Sequence, residues 1–342
     1  MRLTVLTSLT ASLMALSVTA CAAPSNVSGT PSGTARTAFW LRPPATAAEL
    51  ERTLNAAGAA GFTDVLLEGF FHGRVAWNST QFPRKLKYDA VKTALNVQAR
   101  GGPRVNVWLE TLYWRPDASF GIPVTPLWKD SMATLSAAGL PSLKYSKLGF
   151  VDPADADVQA TLTALTREVA TLYPGAGLHL DYLRYPRETD FGYHPAALAG
   201  FAAQTGLDAR TLKRQNEDGT TSDGWRLWTD YRAGLITKLA GTLSSTYQAS
   251  GGRGLISAAV FYTHDPLQRW QVWPGLEAAM PMVYLPYPAL TRLALLQFPQ
   301  RQLVWPGLQV GAGSPTLAAQ LQAVRASGYG NAAVFGWTPG IK

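Results

Sequence analysis

Three acidic residues stand at or near the ends of short apolar segments that are typical of buried strands. They are Glu68 in residues 63–71, Glu110 in residues 104–114 and Asp181 in residues 177–182. If these segments are neighbouring parallel strands, about 4.8 Å apart, their carboxyl ends bring the three side chains together. Acids packed so closely push each other's pKa values apart, so that one can act as an acid while another acts as a base. Hydrolysis of a glycosidic bond needs such a pair.

Aromatic and basic side chains accompany these acids in the sequence. His179 shares a strand face with Asp181, because alternate residues of a strand point the same way. Aromatic rings at strand ends suit stacking on sugars, and Trp337 is predicted to be a stacking platform because it ends the last predicted strand. The predicted substrate-binding residues are His72, Trp108, His179, Tyr182, Arg184, Tyr185, Tyr284 and Trp337.

Other chemistries find little support in the sequence. The four histidines lack the H-E-x-x-H spacing, and the single cysteine excludes a cysteine pair for zinc. No G-x-S-x-G elbow or Walker-type loop is present. We therefore predict no metal and no cofactor. The alternative is a metal-dependent deacetylase with an ion held by His72, His179 and His264.

The segments that must position these residues alternate between strand and helix patterns. The predicted strands are residues 37–41, 63–71, 104–114, 177–182, 254–262, 280–285, 302–310 and 332–337. The predicted helices are residues 46–60, 88–100, 155–172, 225–248 and 315–327, several with apolar residues at helical spacing. Eight buried-type strands alternating with helices predict a (β/α)8 TIM barrel, an α/β fold.

We expect residues 36–342 to form this barrel as a single domain. An open doubly wound sheet is the alternative, but a Gly-rich phosphate turn would follow its first strand. Here Arg42-Pro43-Pro44 follows instead. The polar, turn-rich residues 187–224 are interpreted as an insertion over the barrel mouth. Only five residues follow Trp337, so we expect the last helix of the barrel to be missing.

The aromatic content and the net charge of the chain indicate which kind of molecule it binds. The 342-residue chain contains 11 Trp, 13 Tyr and 12 Phe, which suits a protein that stacks on sugar rings. Its formal net charge of +8 favours an anionic polymer, such as a cell-wall glycan, through long-range attraction. No run of Lys and Arg is dense enough for a nucleic-acid-binding tail, so we predict no nucleic-acid partner.

Residues 1–21 have the pattern of a secretory signal peptide: a basic start, an apolar stretch and small residues at the end. The stretch is too short and too rich in Thr and Ser for a transmembrane helix. Its last four residues, VTAC, resemble a bacterial lipobox, and Cys21 is the only cysteine of the chain. We therefore expect a lipoprotein whose Cys21 is lipidated and anchors the chain to a membrane of the cell envelope, facing the periplasm or the cell exterior. Residues 22–35 are predicted to be a flexible tether; cleavage without lipidation is the alternative.

Several segments together resemble one bacterial group. The most specific is residues 149–186, in which Asp152-Pro153 precedes a predicted helix and HLDYLRYP ends the next strand. Residues 61–79, 104–114 and 278–284 add to it. In these segments the chain resembles the glycosyl hydrolase-like family 10, a group of envelope and secreted (β/α)8 proteins.

The resemblance implies glycan cleavage, with some members acting as lipoproteins on peptidoglycan strands stripped of their peptides. It also implies functional roles for Asp181 in HLDYLRYP, Glu68 in LLEGFF and Glu110 in VWLE. One departure from many relatives concerns the acids. Those relatives carry a second Asp directly after the position of Asp181, where this chain has Tyr182.

The sequence thus predicts a glycoside hydrolase of the cell envelope that cleaves an amino-sugar-containing polysaccharide, with peptidoglycan glycan strands as the expected substrate. Asp181 is predicted to be the nucleophile or transition-state carboxylate and Glu110 the general acid/base, with Glu68 orienting them. The sequence leaves open which carboxylate is the acid/base, which linkage is cleaved and whether anomeric configuration is retained. The alternative is a non-catalytic glycan-binding lipoprotein on a glycosidase-like barrel.

Overall fold

The structure, a computed structural model, describes residues 35–341. The predicted signal peptide, Cys21 and residues 22–34 of the predicted tether lie outside the described residues. The strands are β1 (Thr37–Leu41), β2 (Asp64–Phe71), β3 (Arg74–Val75), β4 (Arg104–Glu110), β5 (Tyr113–Pro116), β6 (Leu148–Phe150), β7 (Gly177–Asp181), β8 (Ile256–Val260), β9 (Ala278–Pro281), β10 (Gly307–Gln309) and β11 (Ala332–Phe335). The helices are α1 (Ala47–Ala59), α2 (Ala90–Ala99), α3 (Ala156–Leu172), α4 (Pro195–Thr205), α5 (Asp223–Ala249), α6 (Pro288–Leu295) and α7 (Leu317–Ala326).

Eight parallel strands form a barrel in the order β1, β2, β4, β7, β8, β9, β10 and β11, with β11 paired to β1. The seam between β9 and β10 is closed by single hydrogen bonds. The Ala279 N–H donates to the Leu303 carbonyl over 2.8 Å, and the Val283 N–H donates to the Gly307 carbonyl over 2.8 Å. The predicted (β/α)8 barrel is confirmed.

Alternation along the strands separates two layers of core. Inward-pointing side chains such as Trp40, Leu66 and Trp108 fill the barrel interior. Outward-pointing side chains such as Phe39 and Val107 join the larger core beneath the helices. Because inward positions repeat every second residue, the same face that carries Leu66 and Trp108 ends in Glu68 and Glu110.

Hydrogen-bonding side chains cap the helices that lie between the strands. The side chains of Thr46, Asp89 and Asp155 accept the free backbone N–H groups at the starts of α1, α2 and α3. Each helix buries one apolar face, as Leu50 and Leu54 do for α1. Among residues 35–341, no helix combines the length and the apolar character needed to cross a bilayer.

Several predicted boundaries were wrong. The strand predicted for residues 104–114 ends at Glu110, and the chain then leaves the barrel to pair β5 with β6 in a separate two-stranded sheet. The strand predicted for residues 302–310 is reduced to β10, directly after Pro306, which has no N–H to donate. Residues 187–224, interpreted from the sequence as a polar, turn-rich insertion over the barrel mouth, contain α4.

No helix follows β11 among the residues that the structure describes. Trp337 occupies the outer face of the barrel there. Its ring centroid lies 5.3 Å from that of Phe39 and 4.8 Å from that of Phe62. The Trp337 indole N–H donates to the Ile341 carbonyl over 3.2 Å. A large aromatic side chain therefore covers the outer surface of the barrel beside β1.

Candidate active site

The three predicted acids meet at the carboxyl end of neighbouring barrel strands. Glu110 and Asp181 are direct register partners on β4 and β7. Glu68 is on β2, the other neighbour of β4, in register with Trp108. The Glu68 and Glu110 side chains are fully buried, and Asp181 is 7% exposed. The structure thus brings together the acid cluster that the sequence predicts.

Arg42 connects two of these acids. Its Nε lies 3.1 Å from Oε1 of Glu68, and its Nη2 lies 3.7 Å from Oε1 of Glu110. The residue follows β1 directly and takes the same inward face as Trp40. The sequence interpretation missed Arg42. Its position one residue past a predicted strand, at the barrel mouth, is the signal that could have found it.

Burial and mutual repulsion keep protons on these acids. Burial, opposed by Arg42, raises the pKa of Glu68 to about 7. Burial and the neighbouring Glu68 carboxylate raise the pKa of Glu110 well above its usual range. Burial raises the pKa of Asp181 too, but Arg184 and the Tyr182 N–H oppose that rise. A cluster of this kind holds at least one proton at neutral pH, because close carboxylates cannot all ionise without a large cost.

Two residues with strained backbones donate their N–H groups to the acids. His72 and Tyr182 are the only non-glycine residues with positive φ in the described chain, each at 51°. The Tyr182 N–H donates to Oδ1 of Asp181 over 2.6 Å, and the His72 N–H donates to Oε2 of Glu110 over 3.3 Å. Positive φ is unfavourable for such bulky residues and is concentrated at functional sites.

Arg184 and the ring of Tyr182 form one side of the site. The Arg184 guanidinium lies 4.6 Å from the centre of the Tyr182 ring and 4.6 Å from that of Phe261. Its Nη1 is 3.7 Å from Oδ1 of Asp181. Stacking between two rings fixes the guanidinium plane, so that the charge stays beside Asp181.

The opposite wall is aromatic. Tyr284 stacks on Phe335, with ring centroids 5.8 Å apart. The Asp181 carboxylate lies near enough to contribute to the raised pKa of Tyr284. Phe335 was missed by the sequence interpretation, although it lies in the last predicted strand, two residues before Trp337.

His72 faces Glu110 from the end of β2. Its Nε2 lies 3.9 Å from Oε2 of Glu110, and its ring packs edge-on against Tyr113. Burial, with Lys85 and Arg42 nearby, lowers the pKa of His72 to about 4. The imidazole is therefore neutral at physiological pH.

Several buried polar atoms of the candidate active site lack a hydrogen-bond partner. The described residues contain eleven buried side-chain polar atoms that lack a hydrogen-bond partner, and five of them belong to this site. They are Glu68 Oε2, His72 Nδ1, Trp108 Nε1, Glu110 Oε1 and Arg184 Nη1. Buried polar groups are normally paired, so five unpaired ones in one cleft indicate a place for a polar ligand.

Four predicted binding residues cannot offer a face to a sugar in this structure. His179 is fully buried: its Nε2 accepts the Trp40 indole N–H over 3.0 Å, and its Nδ1 lies 2.9 Å from Ser257 Oγ. Trp108, at 2% exposure, forms the floor beneath the acids. Tyr185 and Trp337 lie outside the barrel wall, in the core beneath the helices. In a continued strand Trp337 would share the inward face of Phe335. Instead β11 ends at Phe335 and Gly336 has a positive φ of 83°, so the chain turns and Trp337 points outward.

The described residues hold no group of three or more His, Cys, Asp or Glu side chains arranged to bind a metal ion. The acids are instead close to Arg42 and Arg184, whose positive charges take the place that a cation would need. The arrangement suits proton transfer and charge stabilisation by side chains.

No protein-family profile matches the chain, and no curated protein does. Solved structures do match its fold. A β-galactosidase from the psychrophilic Marinomonas ef1 has a TM-score of 0.62 at 12% identity, over 90% of this chain and 56% of that one. A β-galactosidase from Halorubrum lacusprofundi has a TM-score of 0.63 at 11% identity, over 88% and 52%. The catalytic domain of a β-amylase from Paenibacillus polymyxa has a TM-score of 0.56 at 10% identity, over 88% and 93%.

The chain thus spans about half the length of these galactosidases and nearly all of the amylase's catalytic domain. At such low identities the likeness concerns the fold. The protein has a (β/α)8 barrel of the kind that glycoside hydrolases use, with an acid cluster at the carboxyl end of its strands.

Proposed function

We propose that this protein is a glycoside hydrolase whose reacting groups are Glu110 and Asp181. The observation that supports this most strongly is their direct register on neighbouring strands, with a buried Glu110 oxygen that has no hydrogen-bond partner. A pair of carboxyl groups, one protonated and one ionised, is what glycosidic cleavage requires.

The surroundings of the two acids favour different protonation states. Asp181 accepts the Tyr182 N–H and lies beside Arg184, and both contacts favour its ionised form. Glu110 is buried against Glu68, which favours its protonated form. We therefore assign Asp181 as the nucleophile or transition-state carboxylate and Glu110 as the general acid/base.

Glu68 and Arg42 position the acid. Their ion pair holds Arg42 over the edge of the cluster, where the guanidinium also reaches Glu110. As Glu110 donates its proton to the leaving oxygen, its developing negative charge is stabilised by Arg42. The neutral His72 ring and N–H keep the Glu110 carboxyl in place.

We further propose an amino-sugar polysaccharide of the cell envelope, peptidoglycan glycan strands in particular, as the substrate. The resemblance to the glycosyl hydrolase-like family 10 supports this, as do the predicted leader and lipobox at residues 1–21. The aromatic pair of Tyr284 and Phe335 suits a sugar ring, and Arg184 suits a substrate carboxylate. Cell-envelope localisation and lipidation of Cys21 are part of the same proposal.

The proposal is tested by incubating the protein with peptide-free glycan strands and measuring new reducing ends and fragment masses. We expect cleavage by the wild type and a loss of about 1,000-fold or more for Asp181→Asn, which keeps size and shape. Binding of glycan by the wild type without new reducing ends would support the non-catalytic alternative. Equal cleavage by the wild type and Asp181→Asn would refute the assignment of Asp181.

A further inference from the structure

A second surface, which does not include the acids, lies on α6 and the end of α7. Four of the twelve exposed large apolar side chains of the described residues fall within residues 287–296. Among them, Leu290, Leu293 and Leu296 are 41%, 64% and 74% exposed. Isolated exposed leucines are common, but a cluster on one helix indicates a contact surface.

Arginines surround these leucines. We define the α6–α7 face by its six side chains: Leu290, Leu293, Leu296, Arg292, Arg301 and Arg325. Arg292, Leu293, Leu296, Arg301 and Arg325 line a shallow groove of about 570 Å³ between α6 and the end of α7. Arg301 packs against the ring of Tyr329, with its guanidinium carbon 5.9 Å from the ring centre, which holds its charge along the groove.

None of the three arginines has an acidic partner. Among the described residues, no carboxylate lies within ion-pair distance of Arg292, Arg301 or Arg325. The sequence explains this, because residues 278–342 contain no Asp or Glu. The face is therefore apolar and uniformly positive.

We propose that the α6–α7 face docks on an anionic lipid bilayer. Exposed leucines can enter the boundary between head groups and acyl chains, while arginines bind the lipid phosphates around them. A second copy of the chain fits less well. A two-fold dimer would bring two such faces together, each with three arginines and no acid to balance them.

The place of this face in the barrel gives the docked protein an orientation. The Tyr329 hydroxyl donates to the Leu295 carbonyl over 2.8 Å, which ties the end of α6 to the segment that enters β11. The first described residues are at the same end, since the Arg36 N–H donates to Asn331 Oδ1 over 2.9 Å. Glu110 and Asp181 stand at the opposite, carboxyl end of the strands.

Arg301 follows α6 and Arg325 is in the last turn of α7, so both lie at the end of the barrel opposite to its mouth, and docking through them keeps the mouth clear of the bilayer. A lipid at the predicted site, Cys21, would approach from the end of the barrel where Arg36 lies. The proposal itself rests on the leucines and arginines and holds whether or not Cys21 is modified. It is also independent of the proposed hydrolase activity.

The test is flotation of the chain from residue 22 onward, which lacks Cys21, with vesicles of phosphatidylglycerol and phosphatidylcholine at a ratio of about 3:7. We expect binding that weakens with salt, because the arginine contribution is screened. Arg292→Gln/Arg325→Gln should weaken binding by about tenfold or more, given the typical contribution of a basic residue near an anionic surface. Leu293→Glu/Leu296→Glu should do the same.

Matched variants carry the same chemical changes elsewhere on the surface. Arg52→Gln/Arg167→Gln and Leu172→Glu/Leu227→Glu should bind like the wild type. All the altered side chains are exposed, so we expect these variants to fold. The proposal is overturned if the wild type does not float with these vesicles, or if the control pairs lose as much binding as the α6–α7 pairs. A stable dimer dissociated by Leu293→Glu/Leu296→Glu, without vesicle binding, would also overturn it.

Discussion

Arg42 lies between two buried acids, with its Nε 3.1 Å from Glu68 and its Nη2 3.7 Å from Glu110. Although 62% of the Arg42 side chain is exposed, both carboxylates that it contacts are fully buried. The Arg42 side chain therefore lies between the solvent and the two buried carboxylates. Its positive charge lowers the pKa values of Glu68, Glu110 and Asp181 against the effect of burial.

Arg42→Gln should reduce glycan cleavage by about 10-fold to 100-fold, because one charge that stabilises the developing carboxylate is lost. Without Arg42, the acids hold their protons to higher pH, so the acidic limb of the pH–rate profile should move upward. Arg42→Lys should restore part of the rate and of the profile. A profile that does not move in Arg42→Gln would show that Arg42 has no part in tuning the acids.

Glu68 should make folding stability depend on pH. Its pKa is raised from 4.5 to about 7, so the folded chain binds this proton more tightly than the unfolded chain does. The stabilising contribution is therefore fully present below pH 4.5 and is lost as the pH rises to about 7, by about 3 kcal/mol.

Urea unfolding of the wild type and of Glu68→Gln at several pH values measures this contribution as a difference, because the buried histidines affect both proteins alike. We expect the wild type to lose stability relative to Glu68→Gln between pH 4.5 and pH 7. A constant difference over that range would mean that folding does not raise the pKa of Glu68.

His179 should act in the barrel core. Burial lowers its pKa to about 3, and with Nε2 accepting from Trp40, its proton is on Nδ1 and points to Ser257. Ser257→Ala should leave that N–H unpaired and lower the free energy of unfolding by about 1–3 kcal/mol. KM and kcat should stay within about threefold of the wild type. If Ser257→Ala raised the KM and left the free energy of unfolding unchanged, the result would support the prediction that His179 binds the substrate.

Trp337 should matter for stability. Trp337→Ala removes a 4% exposed indole from its contacts with Phe39 and Phe62, which should cost about 3–5 kcal/mol. Trp337→Phe should cost less, since the smaller ring fills part of the space. Calorimetry measures both, and glycan affinity of the folded proteins should be unchanged. Affinity lost in Trp337→Phe at full stability would support the predicted platform instead.

The alternation of strand and helix patterns in the sequence was enough to predict the barrel, because buried parallel strands are strongly apolar. The carboxyl ends of such strands lie at one edge of the sheet. That reasoning placed Glu68, Glu110 and Asp181 together. It could not tell which side of the barrel wall a residue faces near a strand end, where the alternation is short. Trp337 and Tyr185 were misplaced for this reason, and Phe335 was missed.

Arg42 was missed for a different reason. A flexible, exposed arginine after a strand carries no periodic signal, and its partners lie 26 and 68 residues away in the sequence. The positive φ of His72 and Tyr182 could not be predicted from the sequence either, because this conformation is uncommon for any residue that has a side chain. Such features depend on tertiary contacts and become visible only in the structure.

The most direct test of the account compares Glu110→Gln with the wild type on two substrates of the same sugar. One is a natural glycan, whose poor leaving group needs a proton, and the other is an aryl glycoside with an activated leaving group that does not. We predict a loss of about 100-fold to 10,000-fold on the glycan and a much smaller loss in the cleavage step for the aryl glycoside. Equal losses on both substrates, or no loss on the glycan, would contradict the assignment of Glu110 as the general acid.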